Sequence, residues 1–279
     1  MTDQECVQFL QWALPQLGYR WAGFRKVRRQ VCRRLRGRMD ELGLSGAAAY
    51  IQYLASHPSE WGVLDGFCRI TISRLFRNRA VFKLLAEVGL PRLGEAVSRA
   101  GRTELRAWSA GCASGEEPYS LALLWRLQVQ PRFPDLDLSI LATDADEALL
   151  QRAAQACYGR SSLRELPPEW LDLGFEPAGP RYCLREEYRR GVRFQRQDIR
   201  REWLEGPFDL ILCRNLVFTY FDTALCAAVG RQIAERLNEG GLLLVGYHEQ
   251  LPPGMPELRP WPGRYGLYQK CANGTPLAR

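Results

Sequence analysis

Two adjacent carboxylates, Glu116 and Glu117, follow the loop Gly111-Cys-Ala-Ser-Gly115 in the stretch WSAGCASGEEPYSLALLW. Acids at the mouth of a glycine-flanked loop favour a cationic ligand and repel a phosphate. A pyrophosphate-binding turn would instead use G-x-G-x-x-G and a helix N-terminus free of acid. Further polar residues close other apolar runs: Asp144 after LSILATD, Asp198 after VRFQRQD, and Arg214–Asn215 after FDLILCRN. Taken singly, each has a plain reading. An acid in a first helical turn offsets the helix dipole, and Asp or Asn caps strands and helices. Taken together they describe a pocket for S-adenosylmethionine, which offers an ammonium, a sulfonium and a ribose diol. Glu117 is placed near the loop, Asp144 on the ribose and Asp198 near the adenine.

Such a pocket needs parallel strands to carry it. Short apolar runs at 105–110, 138–144, 192–198, 208–215 and 241–247 read as buried strands. Helical patterns near 116–128, 146–156 and 222–238 alternate with them, which implies a parallel sheet covered by helices on both faces. In such sheets ligands bind beyond the carboxyl ends of the strands, where these polar residues fall. Segment 160–191 reads as turns with short strands, an insertion rather than a crossover. The chain before it, up to about residue 90, reads as helical. It includes the basic run FRKVRRQVCRRLRGRMDELG, ended by Gly43.

Composition is that of a globular protein: 279 residues, 46% hydrophobic and 25% charged, with a net charge of +7 that favours acidic partners. Nine cysteines without a C-x-x-C spacing and only two histidines, His57 and His248, argue against a zinc site or a disulfide framework. They read instead as thiols in a reducing cytoplasm. No apolar run approaches the about 18 residues that span a bilayer, and the N-terminus lacks a signal peptide's basic region.

The motifs WSAGCASGEEPYSLAL, LATDADEALLQRAAQACYGRSSLRELPPEWL, FDLILCRNLVFTYFD and LNEGGLLLVGYHE, in this order, resemble the chemotaxis-receptor methyltransferases of the CheR family. RRLRGRMDELGLSGAAAYIQYL resembles that family's helical domain, and ITISRLFRN its segment ending in Phe-Phe-Arg. The resemblance implies an α/β, Rossmann-like S-adenosylmethionine-dependent methyltransferase domain with a small β-subdomain insertion, preceded by a small all-α N-terminal domain. The divisions are a helical receptor-docking domain over 1–82, a linker helix over 83–104, and a methyltransferase domain over 105–279 with its insertion at 160–191. The implied activity is methylation of glutamate side chains on chemoreceptors. The implied cofactor contacts are Thr71, Ser73, Arg77, Glu117, Asp144, Asp198, Ile199, Arg214 and Asn215, with Arg77 and Tyr220 at the reacting centre. No metal is expected. Two motif positions depart from the family's pattern: Arg69, Thr71 and Ser73 precede Leu75-Phe76-Arg77, and Gly246-Tyr247-His248-Glu249 closes the last core strand.

The implied partner is the helical bundle of a chemoreceptor's cytoplasmic part, with no nucleic acid and no membrane insertion. Arg25, Arg28, Arg29, Arg33 and Arg36 are expected to dock on it. Charge runs are usually solvated faces, but 25, 29, 33 and 36 share one face by helical spacing. With no appended module in view, a stand-alone, monomeric, cytoplasmic protein is expected. Two other functions fit the charge or the departures. One is a nucleic-acid methyltransferase, against which stands RNLVFTYF in place of an Asn/Asp-Pro-Pro-aromatic motif. The other is a binding protein that keeps the pocket without activity.

Overall fold

A computed structural model describes residues 1–262 and 266–271; the remainder of the expected methyltransferase domain lies outside the described residues. The chain forms two compact units. One comprises Met1–Ile72 and Thr219–Cys226, the other Ser73–Phe218 and the chain from Ala227 onward.

The first unit is helical, with helices at Asp3–Gln16, Arg28–Glu41, Ala47–Ser56 and Glu60–Cys68. Thr2 and Glu5 close a capping box on the first, so reciprocal side-chain bonds satisfy donors that an open helix start leaves unpaired. Phe9, Leu10, Leu14, Leu35, Tyr50, Leu54 and Leu64 fill the interior. A buried carboxylate, Glu60, ties three helices together. It accepts from Arg38 at 2.9 and 2.8 Å and from the Tyr50 hydroxyl at 2.8 Å. Arg38 holds the Glu60 carboxyl below the usual carboxylate range. Burial, with Glu60 beside it, raises the Tyr50 phenol.

The basic run is divided by this packing. Arg34 donates to the carbonyls of Phe67 and Arg69. Arg28 pairs with Asp3 at 3.0 Å. Arg29, Arg33 and Arg36 are exposed on the helix. Arg25 is exposed too, but it stands in the turn before Arg28, where the helix begins, so it does not extend the face expected from spacing.

Segment Thr219–Cys226 is held in the first unit. The Tyr220 ring lies 5.0 Å from that of Phe24, and the Tyr220 carbonyl accepts from the Arg20 amide at 2.8 Å. A side chain at Gly23 would run into the Thr219 carbonyl, so only glycine permits this approach.

The second unit is built on a seven-stranded sheet. In chain order its strands and those of a smaller sheet are β1 (Glu104–Ala110), β2 (Asp137–Asp144), β3 (Cys157–Gly159), β4 (Phe175–Ala178), β5 (Arg181–Leu184), β6 (Val192–Arg196), β7 (Phe208–Cys213), β8 (Leu237–Val245), β9 (Leu258–Pro260) and β10 (Leu267–Lys270). The large sheet runs β6-β2-β1-β7-β8-β10-β9. Its first five strands are parallel, and β10 and β9 add an antiparallel edge. Chain order reverses between β1 and β7, the place where doubly wound sheets open a ligand crevice. Parallel strands are covered on both faces, so β7 is buried at every position. The helix Glu116–Leu124 packs on this sheet through Tyr119, Leu121, Leu123 and Leu124. β3, β5 and β4 form the small antiparallel sheet.

The cysteine expectation is corrected. Cys6 and Cys32 join the first and second long helices as a disulfide, and Cys157 and Cys183 join directly opposed positions of β3 and β5. Each pair is separated by 26 residues. Such pairing is set by tertiary contact and leaves no short spacing in the sequence.

Candidate functional site

The loop after β1 is anchored to the end of β2. The amides of Gly111 and Cys112 donate to the Thr143 carbonyl at 2.8 and 2.9 Å, and Ala113 donates to Asp144 Oδ2 at 2.9 Å. Asp144 Oδ1 accepts from the amide of Asp146 at 3.0 Å. Asp144 therefore shapes the loop as well as ending its strand. Ala113 is held at φ +49°, and Gly115, at φ +87°, lies against Ala153 and Tyr158 with no room for a Cβ. Cys112 is buried in this loop. Burial pushes its thiol well up, and the charges of Asp144 and Glu117 add to that, so it serves as a small packed residue and not as a nucleophile.

The two glutamates diverge. Glu117 lies among Ser109 of β1, which donates to Oε1 at 2.8 Å, and Arg214, which donates to Oε2 at 3.1 Å. Arg214, at the end of β7, is itself buried. It donates to the carbonyl of Arg77 at 3.0 Å and lies 5.6 Å over the ring of Phe82. Glu116 turns the other way, toward Ser162, and its Oε2 is buried with no partner among the described residues.

Asn215 follows Arg214 at φ +56°. Its amide donates to Glu249 Oε2 at 2.9 Å, and the same oxygen takes the amide of Gly246. Asp198, beyond β6, is engaged by Arg200 at 2.9 and 2.7 Å. Ile199 beside it is buried.

Of the residues expected from sequence, Arg77, Glu117 and Arg214 share one hydrogen-bonded group, and Asp144 holds the neighbouring loop. Asn215 belongs to a second group with Glu249. Asp198 carries its own arginine. Ser73 lies in the second unit; Thr71 and Tyr220 lie in the first. Ser109 and Glu249 are not expected from sequence as site residues. Ser109 looks like one more small residue of a buried strand, and Glu249 is visible only as part of the Gly-Tyr-His-Glu motif.

The donor set suits S-adenosylmethionine. Carboxylates stand at the ends of β1 and β2, a chemistry compatible with a cationic cofactor, and the helix that opens with two glutamates offers no acid-free phosphate cradle. Residues 71–261 match the family described as CheR methyltransferase, SAM binding domain. The chain belongs to the CheR family. A chemotaxis protein methyltransferase of Listeria monocytogenes is 40% identical over 65% of this chain and 66% of its own length. This chain thus spans just under two thirds of that relative. Chemotaxis protein methyltransferase 2 of Vibrio cholerae is 32% identical over 74% of this chain and 71% of its own. Membership in the CheR family gives the domain that begins at Thr71 its ligand, S-adenosylmethionine.

Proposed function

We propose that the protein methylates glutamate side chains on the cytoplasmic helical bundle of a chemoreceptor; its relatives are named chemotaxis protein methyltransferases. The observation that carries this reading is the carboxylate and arginine group at the ends of β1, β2 and β7 within a CheR cofactor domain. S-adenosylmethionine supplies a methyl group activated by a sulfonium. An acceptor glutamate is already ionised near neutral pH, so it needs no base. The chain's part is then positioning, which contributes up to about 7–11 kcal/mol in favourable cases.

Glu117, oriented by Ser109 and Arg214, takes the cofactor's ammonium. Asp144 takes the ribose. Thr71, Ser73, Asp198, Ile199 and Asn215 complete the cofactor's surroundings, Asp198 through the turn it makes with Arg200. Arg214 acts by holding Glu117 and the Arg77 carbonyl. Arg77 aligns a carboxylate by its planar fork, and Tyr220 orients the acceptor through its hydroxyl.

Arg25, Arg29, Arg33 and Arg36 steer the acidic receptor bundle; Arg28 supports them from its pair with Asp3. The protein works as a monomer in the cytoplasm, where the acceptor segment lies. Among the described residues no helix is long and apolar enough to cross a membrane.

The test is transfer of labelled methyl from S-adenosylmethionine to a purified receptor cytoplasmic fragment, followed by mild base. Carboxyl methyl esters release methanol in base. Label that appears on the fragment and survives base would overturn glutamate as the acceptor, and label found only on added RNA or DNA would overturn the protein substrate.

A further inference from the structure

The segment that carries Arg77 has an unusual backbone. Phe76 stands at φ +54° and Asn78 at φ +65°, on either side of Arg77. A non-glycine residue in the left-handed region costs about 1–2 kcal/mol, so two in three residues persist only where surroundings fix them. Here each successive amide has an acceptor. Leu75 donates to the Ser162 carbonyl at 2.9 Å, Phe76 to Ser120 Oγ at 2.8 Å, Arg77 to the Arg74 carbonyl at 3.2 Å, and Asn78 to Glu165 Oε2 at 2.9 Å.

Glu165 is the side chain that spans the whole bend. Its Oε1 lies 3.1 Å from Arg74 Nε on one flank, an ion pair without hydrogen-bond alignment, while its Oε2 accepts from the Asn78 amide on the other. Its own carbonyl accepts from Arg79 Nε at 2.8 Å. The Phe76 ring is fixed between Phe82 and Trp170, with centroids at 5.0 and 5.1 Å. Ser162, Glu165 and Trp170 all lie on the connection between β3 and β4, so the mount of the Arg77 bend is part of the small sheet's insertion.

We infer that Glu165 is a positioning residue for Arg77, and that through it the β3–β4 connection sets the geometry of the reacting centre. The inference rests on the reading that places Arg77 there. The Glu165 carboxylate fixes where the bend turns, and Arg214 fixes the Arg77 carbonyl from the opposite side.

The experiment is a double-mutant cycle on the full chain with Glu165→Ala, Arg77→Ala and the pair. It is read by methyl transfer to a receptor cytoplasmic fragment, by calorimetry with S-adenosylhomocysteine, and by hydrogen exchange of amides 75–78. Glu165→Ala is expected to lower kcat about ten- to a hundredfold in the wild-type background and to cause no further loss where Arg77 is already alanine. Exchange at 75–78 should quicken by about tenfold or more while β1 and β7 stay protected. Should the alanine variant fail to fold, Glu165→Gln keeps the volume and an acceptor for Asn78 but removes the charge that pairs with Arg74, and the same non-additivity is expected at smaller size. Equal proportional losses in both backgrounds, or unchanged exchange in the bend, would overturn the positioning role. Arg77→Ala with wild-type turnover would instead overturn the reading of Arg77, while quickened exchange in Glu165→Ala would still report the clamp.

Discussion

Asp144→Ala should damage the protein twice, and the two effects can be separated. Without cofactor, the variant loses two bonds from a charged acceptor, to Ala113 at 2.9 Å and Asp146 at 3.0 Å. Hydrogen bonds to charged groups contribute about 1.5–3 kcal/mol each. Asp144 is half-buried, so water can replace part of each bond and the low end applies, about 3 kcal/mol in all. For a unit of roughly 200 residues that lowers Tm by about 6–12 °C. With cofactor, the ribose loses its acceptor and the loop loses the anchor at Ala113. A loss of about 2 kcal/mol corresponds to roughly 30-fold weaker binding. Asp144→Asn should fall between, because an amide can accept at one oxygen and must turn an NH2 toward the other donor. Scanning fluorimetry without ligand and calorimetry with S-adenosylhomocysteine read the two effects. An unchanged Tm would refute the loop clasp. Unchanged affinity beside a lowered Tm would leave the clasp standing and remove Asp144 from the ribose.

Three further outcomes are expected. Glu60 is an acid whose folded-state value is depressed by Arg38 and Tyr50, so its stabilisation is present above its unfolded value of about 4.3 and is lost as pH falls through the folded value. The Tm difference between wild type and Glu60→Gln should therefore shrink between about pH 6 and pH 3, and a constant difference would refute the linkage. Tyr220→Phe should slow methyl transfer about tenfold or more while leaving S-adenosylhomocysteine affinity as it is; equal losses would move Tyr220 to the cofactor. Arg29→Glu with Arg33→Glu should lower kcat/KM for receptor and flatten its salt dependence, because exposed charges act over a screening length of about 8 Å. Wild-type turnover across a salt series would return these arginines to a solvated face.

The large sheet was legible because burial on both faces demands unbroken apolar strands. LSILATD and FDLILC are such runs, and the observed β2 and β7 coincide with them. The polar residues at the ends of these runs, Asp144 closing β2 and Arg214–Asn215 after β7, are visible in the sequence as well, but so is their plain use as caps; Asp144 does hold the loop after β1. The antiparallel edge of β9 and β10 was not anticipated, since its strands are only three and four residues long and carry polar residues among the apolar ones. Nor were the contacts that aim the site. Glu249 meets Asn215 across 34 residues, and Glu165 meets Asn78 across 87. No local pattern marks such an acid, because its partner is a backbone amide, and a backbone amide is the same whatever residue carries it. Arg28 shows the converse. It is expected among the docking arginines, but its guanidinium is half-buried and shared with Asp3 and the Arg25 carbonyl.

A division of labour among charges follows. Glu117, Asp198 and Arg214 are expected from sequence to face a cofactor. In the folded unit they also face charged neighbours: Asp198 meets Arg200 and Glu117 meets Arg214, and beside the Arg77 bend Arg74 meets Glu165. A buried ion pair costs desolvation that its own attraction barely repays, so such pairs are weak devices for stability. They do fix orientation, because an arginine fork and a carboxylate meet in few geometries. For a methyl transfer without a general base, orientation is what the protein must supply. On the proposed reading, Arg214, buried at the end of β7, acts less as a contact for the cofactor than as the frame that keeps Glu117 and the Arg77 carbonyl in place.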